Sequence, residues 1–293
     1  MKYKSGAAFR QALEQRLLAR SRQTGTSLVR LRKGVVFDRP LARLTVAARG
    51  QWVLKGALAL DFRLGGRTRT TKDMDLIRND SEEAATADLI AAQAVELGDF
   101  ETFDIEKVGA LGEDLEGAAM RYRVRAELGG RRFEDVIVDI AFADPLKWAP
   151  EKIAGTDLLE FAGIEPIEVP ILPLEQHIAE KVHAYTRIYS SGRTSSRAKD
   201  LVDIVLVKQL MVLDASRLRA APVGVFERRR LHQLPDRLAP PPRDWAAPYR
   251  KLANQVSISP ELGTCHGEAA ALLDPILSGD AEGRWDPKGA RWR

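Results

Sequence analysis

Two aspartates separated by one residue, Asp73 and Asp75, have the type and spacing that most directly indicate chemistry in this sequence. They begin an apolar segment, 73 to 77, that is typical of a β-strand. Side chains alternate across a strand, so both carboxylates face the same side and repel each other unless a cation lies nearby. Mg²⁺ prefers carboxylate oxygens, and two-metal phosphoryl-transfer sites hold their ions about 3.5 to 4 Å apart. The pair therefore predicts a site for Mg²⁺ or Mn²⁺.

A glycine turn precedes this pair. Gly56 and Ala57 lead from the apolar residues 52 to 54 into a helical pattern, and a basic loop with Arg69 and Thr71 follows. Glycine permits a tight turn, and the first N–H groups of a helix can bind phosphate. A lone Asp-x-Asp is common in loops, and a glycine before a helix is more often only a turn. Their order and close spacing together predict a nucleotide site that includes Gly56, Ala57, Arg69 and Thr71.

A third carboxylate, Asp139, lies in the middle of the predicted strand 133 to 142. Val136, Val138 and Ile140 share one face of that strand, and Asp139 falls on the other. A charge there is costly to bury without compensation. Asp139 therefore either has a compensating partner or is a solvated residue of an edge strand.

The second half of the chain contains a lysine on an apolar helix face. In the predicted helix 174 to 189, Lys181 falls within the apolar stripe, so it either reaches solvent or meets an anion such as triphosphate. The next helix is apolar nearly all round yet carries Asp200 and Asp203. Buried carboxylates need partners, and Lys181, Arg197 or a metal-bound nucleotide could supply them.

Composition sets few limits on function. The chain has 293 residues, 45% hydrophobic and 29% charged, with a formal net charge of +4. This mild basic excess permits an RNA partner without requiring one. No apolar run approaches the length of a membrane span, which is about 18 residues. The single cysteine, Cys265, suits a reducing compartment. We expect a cytoplasmic protein without a membrane partner.

The pattern of elements predicts an α/β fold in two parts. Helices are expected at 5 to 21 and 27 to 48, with Pro40 beginning a new helix rather than lying inside one. The proline-rich stretch 143 to 172 is interpreted as a connector with one short strand. Residues 1 to 165 are expected to form the core with its N-terminal helices, and residues 166 to 293 a mostly helical lobe that completes the active site.

The motifs resemble those of a known family. Lys55-Gly56-Ala57 followed by Thr70-Thr71-Lys72-Asp73-Met74-Asp75 is similar to the G-[SGA]-xn-T-x-D-x-D signature of polymerase-β-like nucleotidyltransferases. The segment 180 to 187, the motif Arg197-x-Lys-Asp-x-x-Asp and the phrase Phe-x-x-Arg-x-x-His-x-x-Pro resemble the AbiEii/AbiGii-type toxins, including the MenT toxins. Ala57 replaces the usual serine, so backbone N–H groups would have to bind the phosphates there.

The resemblance implies a polymerase-β-like core with a mixed sheet and a largely helical C-terminal lobe, with the nucleotide between them. It implies that Asp139 is the third metal-site carboxylate and a base towards the acceptor, and that Lys181 contacts the phosphates. The acidic residues of the third motif count among the family's active-site groups, and we rank Asp203 slightly above Asp200. The residues assigned a catalytic role are therefore Asp73, Asp75, Asp139, Lys181 and Asp203. Asp200 and Lys181 are assigned to nucleotide binding.

The function implied is that of a metal-dependent toxin of a toxin-antitoxin system. It would transfer a nucleoside monophosphate from an NTP to the 3′ end of tRNA, block translation, and be controlled by a cognate antitoxin. One alternative is nucleotidylation or phosphorylation of a protein hydroxyl. Another is a non-catalytic nucleic-acid-binding module.

Overall fold

The computed structural model describes residues 1–111, 119–143, 146–187 and 197–293. The chain divides into two compact units. The first contains Met1–Arg63 and Thr70–Ile171, and the second contains Leu64–Arg69 and Leu172–Arg293. The division falls between Ile171 and Leu172, inside the stretch 143 to 172, whereas the expected boundary was between residues 165 and 166. The short segment 64 to 69 is grouped with the second unit.

The first unit is a mixed sheet with helices. Its helices are α1 Gly6–Thr24, α2 Leu28–Ala47, α3 Gly56–Arg63 and α4 Glu82–Ala94. Its strands are β1 Val53–Lys55, β2 Asp73–Arg78, β3 Glu101–Ala110, β4 Ala119–Leu128, β5 Arg131–Phe142, β6 Glu151–Ala154 and β7 Glu168–Ile171.

The strands of this sheet run in the order β3-β4-β5-β2-β1-β7-β6. β2 lies between β5, to which it is parallel, and β1, to which it is antiparallel. β1 is parallel to β7, and the outer pairs β3–β4, β4–β5 and β6–β7 are antiparallel. The strand that begins with Asp73 is therefore central, and β5 with Asp139 is its direct neighbour.

Alternation of side chains decides which face of the sheet is packed. Met74 and Leu76 of β2 and Val138 and Ile140 of β5 are fully buried in the hydrophobic core, which also includes Phe9 of α1. The residues between them, among them Asp73, Asp75 and Asp139, are only half-buried. The core face thus fixes the opposite face as the place for polar chemistry.

Local structure departs from the sequence-based expectations in two places. Pro40 lies inside α2, which continues from Leu28 to Ala47 instead of restarting, so that expectation was wrong. Val36, Leu41 and Leu44 on either side of the proline are buried. This packing offsets the local cost of an interior proline, which is about 3 kcal/mol. The stretch expected as a connector also contains the strand β6, which pairs with β7 at the sheet edge.

The second unit is mostly helical. It contains the helices α5 Leu174–Thr186, α6 Ala198–Leu210, α7 Ala215–Arg229, α8 Ala246–Ala253 and α9 Leu262–Leu277. A small antiparallel sheet is formed by β8 Leu213–Asp214, β9 Arg284–Asp286 and β10 Arg291–Trp292. Residues 188 and 189 of the predicted helix 174 to 189 lie outside the described residues. In the described parts of the chain, no helix has the length and apolar character needed to cross a membrane.

Candidate active site

Gly56 begins α3 in a backbone conformation that favours glycine, with φ of +68°. A Cβ at this position would lie 2.7 Å from Cγ of Asp75, and nearer still to its Oδ2. Glycine is therefore required twice, for the turn and for the approach of the carboxylate. The sequence predicted the turn, whereas the close packing against Asp75 is a property of the fold.

The two predicted metal-site strands lie side by side. In the parallel pairing of β2 with β5, Asp75 is the register partner of Asp139 and Asp73 that of Ile137. Partners in register point to the same face of a sheet, so Asp73, Asp75 and Asp139 share one face. Thr71 Oγ1 lies 2.9 Å from Oδ1 of Asp73 and holds this carboxylate at the start of the strand. Thr71 is thus placed to orient a predicted metal ligand.

An arginine that sequence analysis did not single out joins this face. Arg121 of β4 is the register partner of Asp139. Its Nε and Nη2 donate to Oδ1 and Oδ2 of Asp139 at 2.8 and 2.7 Å. The hydrogen bond with Asp139 raises the pKa of Arg121, and the charges of Asp73 and Asp75 raise it further. The signal that the sequence offered was the placement of arginine at every second position, 121, 123 and 125, as on one face of a strand.

The carboxylates fit a divalent cation only in part. Among the described residues, no three His, Cys, Asp or Glu side chains are arranged as a ready set of metal ligands. Mg²⁺ usually takes one or two protein carboxylates and completes its shell with water and substrate phosphates. Asp73 and Asp75, one residue apart on one strand face, meet that requirement. Asp139 is held by Arg121, and its role as a third ligand stays a prediction.

Ala57 occupies the first turn of α3 and is buried, with 6% of its surface exposed. It offers no hydroxyl, as the sequence indicated. The free backbone N–H groups of this first turn remain as hydrogen-bond donors for an anion.

The second unit contains a buried network of charged side chains. Lys181 Nζ of α5 donates to Oδ1 of Asp200 at 3.2 Å and to Oδ2 of Asp203 at 2.7 Å, both on α6. Arg69 donates to both oxygens of Asp203 at 3.0 Å, and Arg197 donates to Asp200. Lys181 does not extend to solvent, since its side chain is only 8% exposed.

Two positive groups stabilise each carboxylate of this network. Burial alone would raise the pKa of Asp200, but Lys181 and Arg197 outweigh that effect and hold it well below its usual range. Asp203 is fully buried between Lys181 and Arg69. Because breaking a buried pair leaves an uncompensated charge, these residues depend on one another for stability.

The predicted site residues thus fall into two groups, one in each unit. The first unit holds Gly56, Ala57, Thr71, Asp73, Asp75 and Asp139. The second unit holds Arg69, Lys181, Asp200 and Asp203, which are directly connected. Lys181 contacts both Asp200 and Asp203, so the ranking of Asp203 above Asp200 stays a prediction.

Two solved structures of bacterial proteins align with this chain. MenT4, the nucleotidyltransferase toxin Rv2826c from Mycobacterium tuberculosis H37Rv, aligns with a TM-score of 0.54 and 21% identity over 92% of this chain and 98% of its own. JHP933 from Helicobacter pylori aligns with a TM-score of 0.48 and 17% identity over 84% of this chain and 94% of its own. At this identity the MenT4 likeness confirms the predicted nucleotidyltransferase fold. Curated proteins give no significant sequence match.

The sequence profile described as "Nucleotidyl transferase AbiEii toxin, Type IV TA system" matches residues 39–266. That match covers the glycine turn, the three sheet carboxylates and the network of Lys181. It confirms the resemblance inferred from the motifs, and the chain belongs to the AbiEii family of nucleotidyltransferase toxins from type IV toxin-antitoxin systems.

Proposed function

We propose that this protein transfers a nucleoside monophosphate from an NTP to the 3′ end of tRNA and thereby blocks translation. The observation that supports this most is the register of β2 and β5, which sets Asp75 beside Asp139 on the face that Asp73 shares. Family membership supports the nucleotidyltransferase class and an antitoxin as partner. The tRNA acceptor rests on the resemblance to MenT-type toxins.

Asp73 and Asp75 would hold the divalent cation, Mg²⁺ or Mn²⁺. When bound, the cation supplies positive charge to the triphosphate and to the departing pyrophosphate. The residues of the chain provide the positions: Gly56 leaves room for the Asp75 carboxylate, and Thr71 orients that of Asp73. The first N–H groups of α3 can donate to a phosphate oxygen.

Asp139 is the proposed acceptor of the proton from the attacking hydroxyl. Its place beside Asp75 puts it within the same polar face, and a general base must lie within hydrogen-bond reach of the group it deprotonates. Lys181 is the proposed partner of the triphosphate, with Arg69, Asp200 and Asp203 fixing its position.

The test is incubation of the purified protein with each NTP in turn, labelled at the α-phosphate, with total tRNA and Mg²⁺. We expect label at tRNA 3′ ends, located by sequencing those ends, and none when the γ-phosphate carries the label. Label on protein would instead favour modification of a protein hydroxyl. Absence of any transfer would favour a non-catalytic binding module.

A matched pair of variants controls this assay. Asp75→Asn removes a proposed metal ligand and is expected to lower the rate at least about 100-fold, the scale on which loss of a positioned catalytic charge acts. Asp135→Asn changes a carboxylate on the same face of β5 that pairs with Arg132, and it should leave the rate within about twofold, as surface changes usually do. Equal activity of the two variants would contradict the proposed role of Asp75.

A further inference from the structure

The guanidinium of Arg121 lies where a cation would be expected on the acidic face. It forms a bidentate salt bridge with Asp139, and its charge also interacts with the charges of Asp73 and Asp75. Such a pair is directional and stronger than an ordinary hydrogen bond. Three carboxylates on adjacent strand positions would otherwise repel one another.

We propose that Arg121 is a built-in counter-ion that competes with the divalent cation, so that Asp139 becomes free only when the cation enters with its nucleotide. This inference rests on the proposed function, because it concerns the metal that the nucleotidyl transfer would use. It makes Arg121 a positioning residue for Asp139, and it explains why the carboxylates can share one face before any metal binds.

The surroundings of Arg121 permit the movement that this requires. Its side chain is 36% exposed, whereas that of Asp139 is 13% exposed. The arginine can therefore withdraw towards solvent while the aspartate stays in the sheet. A cation bound by the carboxylates would repel the guanidinium of Arg121. Binding of the cation therefore weakens the pair of Arg121 with Asp139, and that pair weakens binding of the cation.

The strand offers a matched control. Arg123 lies two residues along β4 on the same face, is 43% exposed, and faces Glu106 at 3.8 Å. Its register partner on β5 is Ile137, not an acid. Replacing Arg123 changes the net charge of the sheet by the same amount as replacing Arg121, without releasing Asp139.

The test is titration of Mn²⁺ into the full-length protein without nucleotide, followed by electron paramagnetic resonance of free Mn²⁺. We expect Arg121→Met to bind Mn²⁺ at least about tenfold more tightly than wild type, because the competing charge on Asp139 is removed. Arg123→Met should stay within about twofold of wild type, as expected for a screened surface charge. Arg121→Lys keeps the positive charge and should lie between wild type and Arg121→Met.

The gain in affinity should depend on Asp139. In an Asp139→Asn background, Arg121→Met should give less than half of its effect in the wild-type background, since the two residues act as a pair. Equal or weaker Mn²⁺ binding by Arg121→Met, with a wild-type circular dichroism spectrum, would overturn the proposal. So would an equal gain from Arg123→Met.

Failure of this inference can be told apart from failure of the proposed function. If wild type transfers labelled nucleotide to tRNA but Arg121→Met leaves Mn²⁺ affinity unchanged, only the counter-ion role is lost. If Arg121→Met binds Mn²⁺ more tightly while no transfer occurs in any variant, the counter-ion role stands and the acceptor or the reaction is wrong. If neither protein binds Mn²⁺, the counter-ion role is refuted.

Discussion

Gly56 and Asp75 lie so close that a methyl group on the glycine would overlap the carboxylate. The glycine begins α3, directly after β1, and the aspartate belongs to β2. The antiparallel pairing of β1 with β2 brings the two residues together. The position of the carboxylate is therefore set by a residue that contributes no side chain.

Gly56→Ala should lower nucleotidyl transfer at least about 100-fold, because a displacement of about 1 Å of a catalytic group has effects of that size. Its left-handed backbone would also cost about 1 to 2 kcal/mol of stability. Gly50→Ala is the matched control, since Gly50 has φ of +80° but open space at its Cβ position. An equal loss of activity in the two variants would mean that backbone strain, and not displacement of the Asp75 carboxylate, causes the loss.

Ala57 gives a prediction of improved binding. Ala57→Ser restores a hydroxyl next to the glycine turn and should lower KM for the NTP about threefold to tenfold, the range of one added hydrogen bond, with kcat little changed. Steady-state kinetics with varied NTP would measure this. Ala59→Ser, on the same helix but inside the hydrophobic core, should lower stability and leave KM unchanged. An unchanged KM for Ala57→Ser would place the phosphates elsewhere.

The buried network predicts a difference between two lysines. Lys181→Met removes the cation that Asp200 and Asp203 share and should destabilise the protein by about 3 kcal/mol in urea unfolding. Lys208 is also buried, but its partner Glu268 is 25% exposed, so Lys208→Met should cost less than about 1 kcal/mol. Equal losses would show that burial of the lysine, not the double pairing, determines stability.

A histidine gives the stability a pH dependence. His183 is fully buried, and burial together with the charge of Arg187 lowers its pKa from 6.5 to about 4, against a smaller opposing effect of Glu180. Between pH 4 and pH 6.5, His183 binds a proton in the unfolded chain but not in the folded chain. The free energy of unfolding therefore falls as pH decreases from 6.5 to 4, by at most about 3 kcal/mol, and this contribution is fully present above pH 6.5.

Urea unfolding of wild type and of His183→Gln at several pH values would measure this dependence. The variant should show a shallower decline than wild type across the window, although it starts from a lower stability because the ring contact with Phe226 is lost. His266→Gln keeps His183 and should retain the wild-type decline. Parallel curves for wild type and His183→Gln would assign the pH dependence to other groups.

The sequence by itself determined the parts of the site that depend on local geometry. Strand alternation put Asp73 and Asp75 on one face, and it separated Asp139 from Val138 and Ile140 of the core. The glycine turn, the strands that carry Asp73, Asp75 and Asp139, and the helices that carry Lys181, Asp200 and Asp203 also followed from periodicity and turn residues. Family motifs then indicated the class of enzyme, because their residues occur in the correct order along the chain.

The tertiary structure decided the relationships between residues that are distant in sequence. The pairing of β4 with β5 brings Arg121 to Asp139, and helix packing brings Lys181 to Asp203. Strand neighbours and helix contacts depend on long-range packing, which no local pattern specifies. For the same reason the sequence did not reveal that Pro40 continues a helix, or that a Cβ at Gly56 would meet a carboxylate from another strand.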